Sequence, residues 1–288
     1  MILPQDFIDC VCFLCTRDIS DGVEKWRYGG TGFFVSVASE TRPEDYSHLY
    51  LVTARHCIRD RSGNSRELYV RLNKKDGTAQ EPQPLPFEWV EPEDENDAAD
   101  VAVLPFDAYD DPALDYKHVP IAGAATEEAI RYHRIGLASD VYVTGLFTQR
   151  VGSKRNIPIV RAGVISAMMD DVEDARSGLT YKAYLAEVQS IGGLSGSPVF
   201  AMSNSYVTFE RPQYPLRLLG LIRGHFDTSR RYESREDEPV NFTNEEWHKI
   251  HNGIAIVTPV QEILRLLGRK ELVGLRRQKD AELAKIHI

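Results

Sequence analysis

The sequence predicts an all-β protein made of two strand-rich blocks, with helix confined to its C-terminal end. Three observations predict it. Short apolar runs recur between turn residues, the stretch from Asp107 to about Ala138 interrupts them with Asp, Pro and Ala clusters, and helix signals gather after Thr258. With 288 residues, one large or two ordinary domains fit the chain. Its 42% apolar content suffices for a buried core and excludes disorder throughout.

In the first block, Ile8–Cys15 reads as a strand apolar on both faces, and Gly29-Gly30-Thr31-Gly32 leads into Phe33–Ala38. Leu49–Thr53 is a compact buried strand that ends at Ala54-Arg55-His56-Cys57, and Leu68–Leu72 alternates as a half-buried strand does. Pro82, Pro84, Pro86 and Pro92 restrict the next stretch to extended or edge conformations, before the acidic loop Glu91–Asp97 and the strand Val101–Phe106. The linker carries one short helix around Thr126–Tyr132. The second block comprises Val141–Phe147, Ile159–Met168, Thr180–Val188, Pro198–Met202, Leu218–Ile222 and Gly253–Val257. Thr258 as N-cap, Pro259 at the first position and Gln261 open a helix that stops near Gly268. Lys270–Ile286 is a second, highly charged helix, which packs on its own domain or docks a partner. Two β blocks of this kind suggest two small barrels or sandwiches.

A net charge of -9 repels phosphate backbones and anionic lipid, so a nucleic-acid or membrane surface is not expected. No apolar run approaches the roughly 20 residues of a membrane span, and acidic residues stand where a signal peptide needs a basic start. Four cysteines, Cys10, Cys12, Cys15 and Cys57, are too few and too clustered for a secreted disulfide framework. The expected location is cytoplasmic. Cys10, Cys12 and Cys15 alternate faces in a strand, poor geometry for one metal, and read as buried thiols. His248 and His251 fall on a short helix opened by Thr243 and Glu246 and read as surface residues. No metal and no organic cofactor is expected.

The chemistry lies in three stretches. In Gly193-Leu194-Ser195-Gly196-Ser197-Pro198, preceded by Gly192, glycines leave a serine hydroxyl unobstructed and let backbone N–H groups converge. Leu51–Cys57 ends a buried strand on His56, and serine needs such a base at neutral pH. Asp100-Val101-Ala102-Val103-Leu104 opens an apolar strand with a carboxylate able to fix the imidazole tautomer. Asp94 and Asp97 read as solvated members of the acidic loop.

In this His–Asp–Ser order the sequence resembles the trypsin/chymotrypsin-like serine peptidases, most closely their bacterial-type, HtrA-like members. Thr53-Ala54-Arg55-His56-Cys57 is similar to the family's Thr-Ala-x-His-Cys motif, and Asp100–Leu104 to its Asp-hydrophobic-Ala strand. Gly193–Pro198 matches Gly-x-Ser-Gly-Gly-Pro apart from Ser197. Gly30–Phe33, Ala162–Ser166 and Gly253–Pro259 are weaker echoes in the right order, so the resemblance spans about residues 8–267.

The resemblance implies two antiparallel six-stranded β-barrels of chymotrypsin type with a C-terminal helix. The first barrel, residues 1–115, would carry His56 and Asp100, with a connection at 116–138. The second, at 139–258, would carry Ser195, ahead of a helical segment at 259–288. It also implies a serine endopeptidase acting on protein or peptide through a His56–Asp100–Ser195 triad, with the N–H groups of Gly193 and Ser195 as oxyanion hole. The pocket walls would fall on Gln189 and Ser190 and on Arg223, Gly224 and His225. Gln189 replaces the pocket-floor aspartate of trypsin-like members, so a strict Lys/Arg preference is not supported. Cys57 lacks the partner that secreted relatives bridge to it, no Ile-Val-Gly-Gly-type activation start is present, and the chain ends without room for a PDZ domain. The contrasting expectation is a double-barrel peptide-binding scaffold, silent or activated by a partner through the Phe226–Asn252 insertion or the C-terminal helix.

Overall fold

The computed structural model describes residues 3–20, 22–60, 62–94, 97–106, 111–173, 178–189, 192–203, 216–230 and 248–285. The chain opens with a helical turn, α1 (Asp6–Asp9), so the strand expected from Ile8 begins only at Val11. Strands β1 (Val11–Ser20) and β2 (Val23–Ala38) form a long hairpin through Gly22, whose φ of +72° suits the left-handed turn a tight hairpin requires. The outer part of β2 is exposed, whereas Gly30–Ser36 is buried at every position, because elements cover both of its faces.

β3 (Ser47–Thr53), the single-turn helix α2 (Arg55–Ile58), β4 (Tyr69–Arg71), β5 (Gln83–Pro84) and β6 (Ala102–Pro105) complete an antiparallel path β5-β4-β1-β2-β3-β6. β7 (Val119–Pro120) adds to β2 in parallel. The first unit is therefore a half-barrel, open between β5 and β6. The prolines explain the opening: Pro82, Pro84 and Pro86 lack donors at alternate positions and hold β5 to two residues.

The linker holds a 3₁₀ turn (Ile121–Gly123) and the expected short helix as α3 (Glu127–Tyr132), capped by Thr126, whose Oγ1 accepts from Ala129 N at 3.2 Å. β8 (Asp140–Gly145), β9 (Ile159–Glu173), β10 (Thr180–Glu187), β11 (Pro198–Met202), β12 (Leu216–Arg230) and β13 (His248–Pro259) close into a barrel in the order β10-β13-β12-β11-β8-β9. Val141, Val143, Ile165, Tyr184, Leu219 and Val257 fill it. The two units together are a chymotrypsin-like double barrel with its first half open. His248 and His251, expected on a helix, lie instead in β13, opposite Arg230 and Asp227 of β12. The expected Phe226–Asn252 insertion thus begins and ends as paired strand, and its residues 231–247, with the Thr243–Glu246 cap, lie outside the described residues.

Two C-terminal helices return to the first half. α4 (Val260–Leu267) starts one residue later than expected, with Pro259 as an uncapped N-cap, and buries Val260, Ile263, Leu266 and Leu267 in the core of the first half, against β6 and β12. α5 (Lys270–Lys285) buries Leu272, while Leu275, expected on the apolar side, is 53% exposed. Its firmest hold is polar. Asp280, only 3% exposed, accepts from Ser39 Oγ at 2.6 Å and Glu40 N at 3.0 Å, and stands 3.0 Å from His48 Nε2. Arg276 adds a bond to Tyr50 Oη at 2.9 Å.

Burial pushes the Asp280 carboxyl up, but its hydrogen bonds and His48 bring it below its ordinary value. The latch therefore stabilises the fold above the unfolded carboxyl range and is lost as pH falls through the lowered value. Asp280→Ala, which leaves buried Ser39 and His48 without their acceptor, is expected to cost about 2–3 kcal/mol in urea denaturation near neutral pH. The deficit relative to wild type should vanish in acid.

Candidate active site

His56 follows directly from β3. Leu51, Val52 and Thr53 are fully buried, Ala54 stays extended, and the chain then turns tightly through α2, with Cys57 N donating to Ala54 O at 2.9 Å. This turn lifts the His56 side chain to the surface of the cleft, where half of it is exposed. Asp100 precedes β6 and is 8% exposed. Its two oxygens divide their work: Oδ1 accepts from the backbone N of His56 at 2.9 Å, and Oδ2 lies 2.7 Å from Nδ1. With Nδ1–H donated to the carboxylate, Nε2 carries the exposed lone pair.

Burial of His56 works against the imidazolium, but the Asp100 charge and hydrogen bond outweigh it, and the imidazole is held above its ordinary value of 6.5. Asp100 is held below its own ordinary value: burial raises it, and His56, followed by the charge of Arg223, brings it down. The approach to Asp100 is anchored by Asp97, whose Oδ1 accepts from Ala99 N at 2.9 Å and whose Oδ2 accepts from Arg265 at 2.6 Å. Asp97 is thus a structural anchor rather than the solvated loop residue its acidic surroundings suggest.

Ser195 stands in a turn shaped by Gly193 (φ +100°) and Gly196 (φ +82°). A Cβ on Gly196 would stand 2.2 Å from Thr31 O, so no other residue fits. Ser197, the departure from the family motif, is fully buried, and a Cβ on Gly145 would meet its Oγ at 1.9 Å. The missing side chain on β8 makes room for the additional hydroxymethyl group.

Thr31, fully buried on β2, fastens this turn to the first half. Its N–H donates to Ser195 O at 2.9 Å and its Oγ1 to Gly193 O at 2.8 Å, while Oγ1 accepts from Leu146 N at 2.9 Å. Thr53 Oγ1 donates to Thr31 O at 2.8 Å, which ties the same point to the end of β3, three residues before His56. Sequence reasoning singled out Gly30–Phe33 as a strand echo without seeing this role. The signal was the pair of flanking glycines: a Cβ on Gly30 would lie 2.9 Å from Cys57 Sγ, and one on Gly32 2.7 Å from Leu51 Cδ1.

Cys57 joins the two halves of the site, with Sγ 3.9 Å from His56 Nε2 and 3.8 Å from Ser195 O. No hydrogen bond links the Ser195 hydroxyl to His56 among the described residues, nor do the N–H groups of Gly193 and Ser195 donate to a protein acceptor. The neighbouring carbonyls are engaged, Gly193 O by Thr31 and Gly192 O by Thr148 Oγ1 at 3.4 Å.

Of the expected pocket residues, Gln189 is exposed beyond β10, Gly224 faces open space, and His225 follows it on β12. Ser190 lies outside the described residues. Arg223 lays its guanidinium over the Tyr181 ring of β10 at 3.8 Å and reaches the first half, where Nη1 donates to Ala98 O. All four cysteines are free and buried. Burial raises Cys10, Cys12 and Cys15, the last to about 12, which keeps them protonated thiols. Among the described residues no three His, Cys, Asp or Glu side chains converge as metal ligands, and no helix is long and apolar enough to cross a membrane.

Comparison with known proteins bears on this geometry. Solved structures with the same fold include the HtrA-type protease AlgW with a decapeptide (15% identity, TM-score 0.51), matched over 91% of this chain and 64% of that one. The apo MamO protease domain from Magnetospirillum magneticum (13% identity, TM-score 0.49) is matched over 92% of this chain and 99% of that one. Among curated proteins none matches the chain. At 15% identity the AlgW structure speaks for the fold alone. The family itself is given by sequence: the trypsin-like peptidase domain matches residues 30–207, a span that takes in His56, Asp100 and Ser195. The chain belongs to the trypsin-like peptidase domain family, and it is a serine protease.

Proposed function

We propose that the protein is an endopeptidase that cleaves peptide bonds through an acyl-enzyme, with Ser195 as nucleophile, His56 as general base and acid, and Asp100 as the group that orients His56. The observation that carries this reading is the double grip of Asp100 on the ring and backbone of His56. Ser195 Oγ attacks the scissile carbonyl carbon as His56 Nε2 takes its proton, and the tetrahedral oxyanion is met by the N–H groups of Gly193 and Ser195. The resulting imidazolium is stabilised by the Asp100 carboxylate and gives its proton to the leaving amine. Water then attacks the acyl-enzyme, His56 again serving as base, and the acid product is released.

Two features support a formed oxyanion hole. The carbonyls of Gly192 and Gly193 are held by Thr148 and Thr31, and of the donors of the turn the N–H groups of Gly193 and Ser195 are left for a ligand. An extended protein or peptide segment is the substrate class, in keeping with the decapeptide in the AlgW structure. The missing Ser195–His56 hydrogen bond favours a second reading, a resting state that substrate or a partner tightens into alignment.

A fluorophosphonate probe separates these readings. Prompt labelling of the isolated protein, abolished in Ser195→Ala, is the expected result; labelling that persists in that variant would reject the nucleophile, and labelling only with a partner would support the resting state. Because protonated His56 is inactive and Asp100 holds it above 6.5, kcat/KM should rise with pH through a value above that of free imidazole. Asp100→Asn should lower kcat/KM on the order of 10⁴-fold. Thr31→Val, which deprives Gly193 O and Leu146 N of their partner, should cost about 1–3 kcal/mol in urea denaturation. It should also slow labelling of Ser195 at unchanged probe access.

A further inference from the structure

The connection between β8 and β9, residues 146–158, borders the Ser195 turn. Leu146 N donates to Thr31 Oγ1 at 2.9 Å, Thr148 Oγ1 donates to Gly192 O at 3.4 Å, and a Cβ on Gly193 would meet Leu146 O and Thr148 Cγ2 at 3.0 Å. Farther along, the first half clasps its backbone. Arg71 Nη1 donates to Gly152 O at 2.8 Å and Nη2 to Ser153 O at 3.1 Å, and Ala79 N donates to Lys154 O at 2.7 Å. Asn73 pairs its side-chain amide with the backbone of Asn156: Oδ1 accepts from Asn156 N at 2.7 Å, and Nδ2 donates to Asn156 O at 3.3 Å. Backbone groups take up these bonds, and the side chains of Arg150, Lys154 and Arg155 stay exposed.

Those three cations have no carboxylate at ion-pair distance among the described residues, in a chain whose net charge is -9. The adjoining turn, residues 73–79, adds exposed Lys75, while its carboxylate, Asp76, is turned onto its own Thr78, accepting from N at 2.9 Å and from Oγ1 at 2.7 Å. Arg150 N donates to Phe147 O at 2.8 Å, and two residues of chain keep the Arg150 Cα within about 7 Å of that of Thr148, beside the oxyanion turn. The pocket walls expected before the scissile bond lie with β12, which grips the turn from its other side: Ile222 O accepts from Gly196 N and Ile222 N donates to Ser197 O, each at 2.8 Å. A substrate strand that comes from β12 across the turn meets the 146–158 connection after the scissile bond, on the side of the leaving amine. We propose that Arg150, Lys154 and Arg155 form a specificity-determining rim, which selects protein segments carrying aspartate or glutamate shortly after the scissile bond. The inference rests on the triad reading above. Exposed charges attract over only about 8 Å at physiological ionic strength, so the rim discriminates among segments already seated in the cleft.

The test is cleavage of matched peptides by the full chain, with active sites counted by fluorophosphonate. The peptides share one scissile bond and carry Glu-Glu or Gln-Gln at the second and third positions after it; a third peptide carries Glu-Glu before the bond. At about 0.01 M salt, wild type is expected to show a kcat/KM roughly 10-fold higher for Glu-Glu after the bond than for Gln-Gln, and at about 1 M salt the ratio should approach 1. The combined variant Arg150→Gln, Lys154→Gln, Arg155→Gln should lose the preference at low salt. Arg150→Lys with Arg155→Lys should keep it, because the rim acts through charge. Equal cleavage of the first two peptides by wild type overturns the proposal, and so does a preference that survives the triple variant. A preference for the third peptide alone would assign the selection to the opposite side of the bond and overturns it too. Should the triple variant not fold, the three single glutamine variants replace it, and a preference untouched by all of them overturns the proposal. If Ser195 takes no fluorophosphonate and no peptide is cut, the triad reading fails by itself. Binding of the same peptides, followed by fluorescence anisotropy, then decides the rim: a Kd roughly 10-fold lower for Glu-Glu after the bond at low salt supports it, and equal values overturn it.

Discussion

A single buried hydroxyl, that of Thr31, holds the site together. Its oxygen donates to Gly193 O and accepts from Leu146 N, while the amide and carbonyl of the same residue bind Ser195 O and Thr53 Oγ1. Every partner is a polar group buried where the halves meet, and such groups are costly to leave unpaired. The serine turn and the end of β3 are therefore positioned from one point. The glycines around that point follow from the closeness: Gly30, Gly32, Gly145 and Gly196 each stand where a Cβ would collide with a neighbour.

Charge is organised by the same economy of partners. Burial pushes the Asp100 carboxyl up, yet the ring and backbone of His56 and the nearby guanidinium hold it below its ordinary value. The acidic loop before it is distributed over cations from distant stretches, Glu91 to Arg55 and Arg59, Asp97 to Arg265 and Glu93 to Arg269. The loop that the sequence makes look solvated is in fact the surface on which α2 and α4 converge. Exposed pairs of this sort add little stability singly. Their contribution is to fix the path of the chain into Asp100.

How far the site could be read from sequence depends on how local its grammar is. His56 and Asp100 each sit at a junction between an apolar strand and a polar turn, and Ser195 lies among glycines, so short windows suffice to find them. Thr31 was hidden because a threonine in a strand is ordinary, and its significance lies in partners 115 to 164 positions away. Arg223 was legible only as a pocket wall implied by the resemblance, because the bulge that carries its side chain to Tyr181 and Ala98 has no sequence signature. Asp280 escaped notice because α5 is charged nearly throughout, and apolar spacing favoured Leu275, which the fold leaves in solvent. The strands of the second barrel were legible in place and order, whereas the half-open first sheet was not, since family resemblance led to an expectation of closure that three alternating prolines prevent.

The return of the C-terminal helices to the first sheet has a consequence for how the molecule is made. The early strands β1 to β6 emerge first during synthesis, but their core is finished by Val260, Ile263, Leu266 and Leu272, and their polar latch by Asp280. The leading half must wait, its apolar underside uncovered, until the chain through Asp280 has left the ribosome. A nascent chain stalled before α4 would expose that underside to chaperones, whichever strands had already paired.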